Sequence, residues 1–491
     1  MTTYINTIKK NKNFYINMYN YWLRGGYNCI LIENILNIII SFSVLFIIIF
    51  TIFCLNWYEI TKCMSEETCK DLLQYVVNPL VYHNKSINIF MLINISIFGI
   101  YWLWLNIVLI NEIIEYIKYK KVYTDLGFEN NNLYNKSWIS VIKRLENIDS
   151  NITKEIIVGS IMKNDNYLIS IIGTNVLNIN KIYYTKTFLW FLNNIVINQI
   201  NYDNLNTKHF IVNTNKIKNI LKIFSIGQLL VLPFIIILYI IRFIINIITD
   251  IYSKSINTTS KDWTIYSKYL FREYNELPHI INDRIEKSYM YVNMYQQKFQ
   301  SRINDIILEK IIFILGTYLS ILVLLMIYDD RLVMFIKLFD RNLLWYLAII
   351  TSIITIIRLS LNKEKIKGSY NDILLNLYNN IHYYPDNWNI QNNNDLILNE
   401  LNKMYKYKII NIVYELFSLI IIPIYILFFM TNELDIIIHI ITNNTIYINN
   451  VGFIYKINTE DNTYDEFESL ITNNKISRSI NNFNEYYSNL Y

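Results

Sequence analysis

The sequence predicts an all-α, multi-pass membrane protein with four transmembrane helices and two re-entrant helical hairpins. Three observations lead to this prediction: a composition poor in charge, a set of long uncharged stretches, and an uneven distribution of lysine and arginine between them. Of the 491 residues, 53% are hydrophobic and only 17% are charged, whereas globular chains carry about 25% charged residues. The composition excludes a soluble single-domain enzyme. A net charge of +5, spread along the chain, indicates no nucleic-acid partner.

Four uncharged stretches are predicted to cross the membrane. They are residues 34–58, 86–111, 311–328 and 342–357, and a hydrocarbon core of about 30 Å needs about 20 apolar residues in a helix. The fourth stretch is short for a span. Arg358 follows it directly, however, and its long side chain can reach the interface from inside the helix. We therefore also expect Arg358 among the polar residues that line a pathway at the membrane.

Two further apolar stretches contain a proline near the middle and are predicted to enter the membrane without crossing it. Pro233 lies within residues 223–241 and Pro423 within residues 416–432. Proline removes a backbone hydrogen bond and clashes with the preceding helical turn, so we expect the chain to break and turn back at each proline. A kinked helix that spans the membrane is the alternative interpretation of each stretch.

The distribution of lysine and arginine sets the predicted orientation. The positive-inside rule places the N-terminus in the cytosol and the loop 56–85 in the lumen. With two re-entrant hairpins, the cation-rich segments 243–310 and 358–415 are both cytosolic. The predicted organisation is a cytosolic N-terminal segment (1–33), transmembrane helices 1 and 2 (34–111), a cytosolic helical region (112–222), the first re-entrant hairpin (223–250), a cytosolic core (251–310), transmembrane helices 3 and 4 (311–361), a cytosolic segment (362–408), the second re-entrant hairpin (409–432) and a cytosolic C-terminal region (433–491).

The predicted lumenal loop carries candidate modification sites. Cys63 and Cys69 are close enough in sequence to form a small disulfide loop in an oxidising lumen, and two free thiols are the alternative. Asn84 begins an Asn-Lys-Ser sequon for glycosylation, although it lies close to the membrane.

No catalytic motif is present in the sequence. The five histidines show no metal-ligand spacing, and no glycine-rich phosphate loop or nucleophile elbow occurs. We therefore expect no cofactor, no metal and no hydrolytic or nucleotide site, and a function in moving something across or along a membrane. Hydropathy alone would equally suit an ion channel or a solute carrier. The candidate lining is Arg242, Asn246, Asp250 and Lys254, whose spacing of four residues places them on one helical face; an interfacial helix is the alternative role of this face.

Residues 263–284 read WTIYSKYLFREYNELPHIINDR and resemble the W-S-x-Y … F-R-E-F-N-E-L signature of the autophagy-related protein 9 family. Further matches follow in family order, from the glycine-containing entry to the first span at residues 26–30 through the element at 161–169 to the H-Y-x-P-x-x-W motif at 382–388. The motif residues expected in a cytosolic core are Trp263, Tyr266, Phe271, Arg272, Glu273, Asn275, Glu276, His382, Pro385 and Trp388.

The resemblance implies a domain-swapped homotrimer of four-span protomers with a cytosolic helical core. It implies an ATP-independent phospholipid scramblase on Golgi-derived cytoplasmic vesicles and on endosomal and preautophagosomal membranes, with both termini cytosolic. Its implied partners are membrane phospholipids and a lipid-transfer protein of the autophagy-related protein 2 family. The alternative function is a trimeric scaffold that recruits lipid-transfer and autophagy initiation proteins without essential lipid flux.

The sequence departs from the family pattern near its C-terminus. The family shows G-V-G-D-x-C-S-F-A where this chain has Asn450-Val451-Gly452-Phe453-Ile454. We expect the residues after 455 to form a short tail with Lys475 and Arg478 as its main cations. We expect Arg272, Glu273 and Glu276 to hold the cytosolic core of the trimer by charge pairing rather than to contact lipid.

Overall fold

The computed structural model describes residues 13–50, 54–60, 72–77, 85–128, 133–148, 152–177, 179–203, 212–252, 261–299, 302–329, 333–334, 336–338, 341–360, 369–385, 388, 394–448, 451–457 and 466–488. The fold is mostly helical, as predicted. The helices are α1 (Phe14–Leu23), α2 (Tyr27–Ile49), α3 (Trp57–Ile60), α4 (Lys85–Asp125), α5 (Trp138–Ile148), α6 (Lys154–Ile161), α7 (Lys163–Gly173), α8 (Lys186–Trp190), α9 (Asn198–Asp203), α10 (Thr214–Tyr252), α11 (Ile265–Phe271), α12 (Pro278–Lys298), α13 (Arg302–Tyr328), α14 (Leu343–Ser360), α15 (Tyr370–Ile381), α16 (Asn394–Met404), α17 (Lys408–Tyr425), α18 (Thr431–Asn443) and α19 (Glu466–Ser488).

The chain forms two compact units, Met1–Ile157 and Val158–Tyr491. In the first unit, α1 and α2 meet at an angle of 80°. Gly25 and Gly26 make this bend with φ values of +76° and +89°, which glycine adopts without steric cost. The Arg24 guanidinium stabilises it by pairing with Glu33 and with Glu112 of α4.

The second unit has two hydrophobic clusters. The first cluster gathers α7, α8, the π-helix Phe191–Ile197, and the buried faces of α10, α17 and α18. The second gathers α11, α12, α15 and α16 around Trp263 and Trp388. An antiparallel ladder joins β1 (Lys261–Trp263) to β4 (Tyr405–Tyr407), with Trp263 opposite Tyr405. Short hairpins link β2 (Lys337–Leu338) to β3 (Arg341–Asn342) and β5 (Thr445–Ile448) to β6 (Gly452–Tyr455), so the all-α prediction omits these small sheets.

The predicted chain reversals at the two prolines are wrong. Pro233 lies inside the uninterrupted helix α10, and Pro423 lies inside α17. After α17 the helical path continues through the π-helix Ile426–Met430 into α18. A proline removes only one backbone hydrogen bond, and the surrounding bonds keep the helix continuous. How deeply these helices enter a membrane stays a prediction.

Among the described residues, two helices are long and apolar enough to cross a membrane, Ile306–Tyr328 and Lys408–Met430. The number rises to three if α1 and α2 are taken as one broken span, and Leu343–Thr355 is a shorter apolar helix. Helices α2 and α4 cover much of the predicted first and second spans. The predicted tail is wrong for residues 466–488, because they form the helix α19. Cys63, Cys69, Asn84 and Lys254 lie outside the described residues.

Candidate functional site

The predicted core motif surrounds a tight loop, Arg272 to Leu277, between α11 and α12. Asn275 has a φ of +57°, in the left-handed region that asparagine tolerates better than most residues. Its side chain and backbone form a reciprocal pair with Asn166: Asn166 Nδ2 donates to Asn275 Oδ1 at 2.8 Å, and Asn275 N donates to Asn166 Oδ1 at 3.0 Å. Pro278 then begins α12, where a missing N–H costs nothing. The sequence thus fixes the shape of the loop.

Glu276 is held by Arg284 of the next helix. Arg284 Nε and Nη2 donate to the two carboxylate oxygens, each at 2.8 Å. Arg284 also donates to the carbonyl oxygens of Asn380 at 2.6 Å and Phe271 at 2.8 Å. Both side chains of the pair are largely buried. A planar guanidinium suits this bidentate geometry, so the pair joins the loop to α12 and α15.

Glu273 is 4% exposed and accepts from three side chains. His382 Nδ1 lies 2.9 Å from Oε1, Arg478 Nε donates to Oε1 at 3.1 Å, and Asn482 Nδ2 donates to both oxygens at 2.9 Å. Burial alone raises the pKa of the Glu273 carboxyl. The hydrogen bonds and charge of His382, the Asn482 amide and the nearby Arg284 charge outweigh burial and lower the pKa to about 2. Glu273 is therefore a permanent anion near neutral pH.

The third charge of the motif pairs outside the loop. Arg272 Nη1 contacts Asp165 at 3.1 Å. The expectation of charge pairing by Arg272, Glu273 and Glu276 thus matches the contacts within this chain, and their role in a trimer stays a prediction.

The aromatic motif residues are packed rather than exposed. Trp263, Phe271 and Trp388 belong to one buried cluster. Trp263 Nε1 donates to Ser288 Oγ at 2.9 Å, and Trp388 Nε1 donates to Glu400. The carbonyl of Pro385 accepts from Trp388 N at 2.9 Å, and Tyr266 is buried in the other cluster, against Tyr184. These residues build the core that shapes the loop.

The match to the family model described as "Autophagy protein ATG9" covers residues 4–459. The chain belongs to this family. Autophagy-related protein 9 of Dictyostelium discoideum is 25% identical over 506 residues, which cover 96% of this chain and 71% of that protein. The Arabidopsis thaliana protein of the same name is 23% identical over 480 residues, covering 89% of this chain and 55% of its own length.

A cryo-EM structure of Schizosaccharomyces pombe Atg9 has a similar fold. The TM-score is 0.62 at 20% sequence identity, and the match covers 91% of this chain and 98% of that one. The chain spans 47% of the matched Saccharomyces cerevisiae relative, so these relatives differ in how much sequence lies beyond the shared fold.

The predicted polar lining is only partly described. Arg242, Asn246 and Asp250 lie in the backbone of α10 at successive spacings of four, as one helical face requires. Arg358 is exposed near the end of α14. The side chains of the three α10 residues lie outside what the structure describes, so a shared role with Arg358 in a lining stays a prediction.

A stripe of hydroxyl groups on α14 was not predicted. Thr351, Ser352 and Thr355 donate to carbonyl oxygens one turn back, at 2.9, 2.8 and 2.7 Å. Thr351, Thr355 and Arg358 follow at i, i+4 and i+7 and share a face with Ile354 at i+3, which is buried. The exposed polar edge of this face is formed by Thr355 and Arg358. Spacing of hydroxyls in the otherwise apolar stretch was the sequence signal that could have found it.

Helix α14 packs against α13, whose large apolar side chains, including Phe313, Leu324 and Ile327, are exposed. On α13, Thr317 and Ser320 are also exposed, and each hydroxyl donates to a backbone carbonyl at 2.7 Å. The helix pair therefore presents hydroxyl groups within an exposed apolar surface.

Glu415 has a structural partner that the sequence did not reveal. Its buried carboxylate accepts from Lys186 N and Thr187 N, both at 3.0 Å, and from Thr187 Oγ1 at 2.8 Å. The anion thus satisfies the free N–H groups at the start of α8. It anchors α17, a helix with an apolar exposed face, to the core.

Proposed function

We propose that this chain is an ATP-independent phospholipid scramblase that equilibrates lipids between leaflets of autophagosome precursor vesicles as the phagophore expands. The observation that carries the proposal is the face of α14 formed by Thr351, Thr355 and Arg358, on an exposed apolar helix of a chain in an autophagy protein family. This stripe supplies polar groups at depths where hydrocarbon supplies none.

The chemistry of lipid transfer favours such a surface. A charged headgroup that enters bare hydrocarbon costs several kcal/mol or more. Hydroxyls along a helix can exchange their bonds to the helix backbone for bonds to a passing headgroup. Arg358 offers a cation near one end of the stripe for the phosphate. Such transfer runs down a concentration difference between leaflets and needs no nucleotide.

The assembly and location that the family resemblance implies belong to the same proposal. We expect a homotrimer on Golgi-derived cytoplasmic, endosomal and preautophagosomal membranes, with both termini cytosolic. A lipid-transfer protein of the autophagy-related protein 2 family would deliver the lipid that this chain redistributes.

The test is lipid flipping by the purified full chain in liposomes without ATP, followed by chemical quenching of fluorescent phospholipid in the outer leaflet. We expect Thr351→Val/Thr355→Val and Arg358→Gln each to slow flipping about three- to ten-fold, since roughly 1 kcal/mol of lost hydrogen bonding changes a rate by about that factor. The matched control is Thr442→Val, because Thr442 Oγ1 also donates to a carbonyl one turn back, at 2.9 Å, but lies on α18.

Absence of flipping by the folded wild-type chain would contradict the proposal. Normal autophagosome growth in cells whose chain has lost lipid flux would favour the scaffold. A current selective for one ion would favour a channel. The α10 residue Arg242, together with Lys254, provides a second charge-removal variant for the same assay.

A further inference from the structure

Helix α19 lies on the loop 272–277 through one polar face. Lys475 Nζ donates to Leu270 O at 3.0 Å, and Ser479 Oγ accepts from Tyr274 N at 3.2 Å. Arg478 and Asn482 donate to the buried Glu273 carboxylate at 3.1 and 2.9 Å. The four helix residues follow at i, i+3, i+4 and i+7, which places them on one side of the helix.

Few of the α19 side chains that the structure describes are fully buried. On the described part of α19, Ser479 and Tyr487 are the fully buried residues, and Ile476 is partly buried against the first cluster. Stable permanent interfaces have apolar centres, whereas polar, charge-paired contacts are typical of exchangeable ones and weaken with salt. The contact of α19 with the loop has the composition of an exchangeable interface.

The surface under α19 contains one carboxylate, that of Glu273, which no arginine of the loop or of α12 pairs with directly among the described contacts. Arg284 neutralises Glu276, and Asp165 pairs with Arg272. Without Arg478 and Asn482, the described contacts leave Glu273 with His382 alone. The loop surface therefore selects a helix that brings a cation and an amide at this spacing.

The surface also has open space around the helix. A cavity of about 360 Å³ lies between the loop and α19, and its lining includes Glu273, Ile280, His382, Phe483 and Tyr486. A helix can thus approach or leave this surface without disturbing the buried cluster around Trp263.

We propose that the loop 272–277, with His382 and Arg284, is an exchangeable docking site for a polar helix, that α19 is its resident occupant, and that the α19 of a second copy takes the same place. The occupant is identified by the seated helix itself, because any copy presents the same four contacts. The sequence 458–465, which precedes α19, is polar and acidic. Eight residues reach about 27 Å when extended, so exchange requires a second copy within that distance. This site is independent of lipid flipping.

The test measures binding of a fluorescent peptide with the sequence of residues 466–488 to the full chain in lipid nanodiscs, by anisotropy. In the chain variant Arg478→Glu/Asn482→Asp, the resident helix places acidic groups against Glu273 and should detach. We expect the wild-type peptide to bind this variant at least ten-fold more tightly than it binds the wild-type chain. A peptide carrying Arg478→Glu should not bind, and added salt should weaken binding.

The matched control chain is Asn484→Glu, which adds one negative charge on an exposed position of α19 and should bind peptide like the wild type. Hydrogen exchange then shows whether α19 has detached while α12 stays protected. Equal binding to all chains, no binding to a chain whose α19 has detached, or a protected α19 in the double variant would each overturn the proposal. Equal binding of a sequence-scrambled peptide would show a site for any cationic helix and would overturn the assignment to a second copy.

Discussion

The loop 272–277 and the helix pair α13–α14 use polar side chains in opposite ways. Around the loop, the side chains of Glu273, Glu276 and Arg284 are largely buried. Glu273 and Arg284 bond to distant parts of the chain, and Arg284 also holds Glu276. On α14, the bonds of Thr351 and Thr355 within the described ranges go to carbonyl oxygens of their own helix, within an exposed apolar surface. The first arrangement fixes tertiary structure, whereas the second leaves each hydroxyl able to change partners at little cost.

The comparison shows that the most specific motif of the chain and its proposed functional surface are different regions. The most recognisable sequence in the chain, FREYNEL, forms a buried structural centre, while the proposed lipid-facing groups lie in plain apolar sequence. A strong motif therefore indicates which residues the fold cannot replace, and it does not by itself locate the chemistry. The three predictions that follow test this division in order of expected effect.

The largest effect is expected at the loop. Arg284→Met removes the cation from the buried Glu276 carboxylate, which keeps the bond from Glu273 N at 3.0 Å, and removes a donor from two carbonyl oxygens. Breaking a buried ion pair costs about 3–5 kcal/mol. Thermal unfolding of the detergent-solubilised chain should show a large fall in Tm or a failure to accumulate folded protein. Lys287→Met is the control, because Lys287 is exposed on the same helix. If both variants unfold at the same temperature, the pair does not hold the core.

An intermediate effect is expected at Glu415, which belongs to an apolar helix but is bonded like the loop residues. Glu415→Gln removes the charge at the start of α8 and weakens three bonds, and we expect a loss of about 1–3 kcal/mol in stability. Thermal unfolding measures it, with the exposed Glu286→Gln as control. An unchanged Tm would show that α17 needs no anchor, and the contrast between the two regions would then weaken.

The smallest effect concerns pH and the contact of α19 with the loop. Burial, with the Arg478 charge nearby, lowers the pKa of the Lys475 ammonium to about 7 from its usual 10.5. Between these values a detached helix binds a proton that the attached helix lacks, so attachment strengthens as pH rises, by about 1 kcal/mol from pH 7 to 8. The Glu273 carboxyl, with a pKa of about 2, adds no dependence in this window.

Hydrogen exchange of α19 amides, corrected for intrinsic rates, checks this expectation. Protection should increase from pH 7 to 9 in the wild type and stay level in Lys475→Met. A wild-type helix with level protection would mean that Lys475 is charged when attached.

Sequence predicted the helices and the identity of the core residues because both depend on local pattern. Long uncharged stretches and the motif around Phe271 are visible without coordinates. The continuous helices through Pro233 and Pro423 could not be predicted. A proline lowers the stability of a helix, but packing along the whole helix offsets this loss. The sequence shows the proline and does not show the packing. The same limit applies to residues 466–488. Their polar composition is typical of a tail, and the sequence does not show that the Glu273 carboxylate is their partner in the fold.

The partners of Glu415 and Arg284 illustrate why the site itself was only half predictable. Lys186 and Thr187 are more than 200 positions from Glu415, and Arg284 reaches a carbonyl 96 positions away. Such contacts follow from tertiary packing, so spacing rules for helices and loops cannot find them. The hydroxyl stripe of α14, by contrast, could have been found from the spacing of Thr351, Ser352 and Thr355. It was not singled out because serine and threonine are common residues.

The short ladder between β1 and β4 constrains how the second unit can thread a bilayer. Trp263 and Tyr405 face each other in the ladder, so the two ends of the chain between them lie side by side. If that segment enters a bilayer, this pairing requires an even number of crossings, and one crossing each by α13 and α14 would meet the requirement. Beyond the ladder, Thr445 is bonded to Tyr167 at 2.7 Å, in the cluster that also holds Tyr266. The far end of the helical path from Lys408 to Asn443 is therefore bonded to the same cluster, which limits how far this path can move from the core as it enters a bilayer.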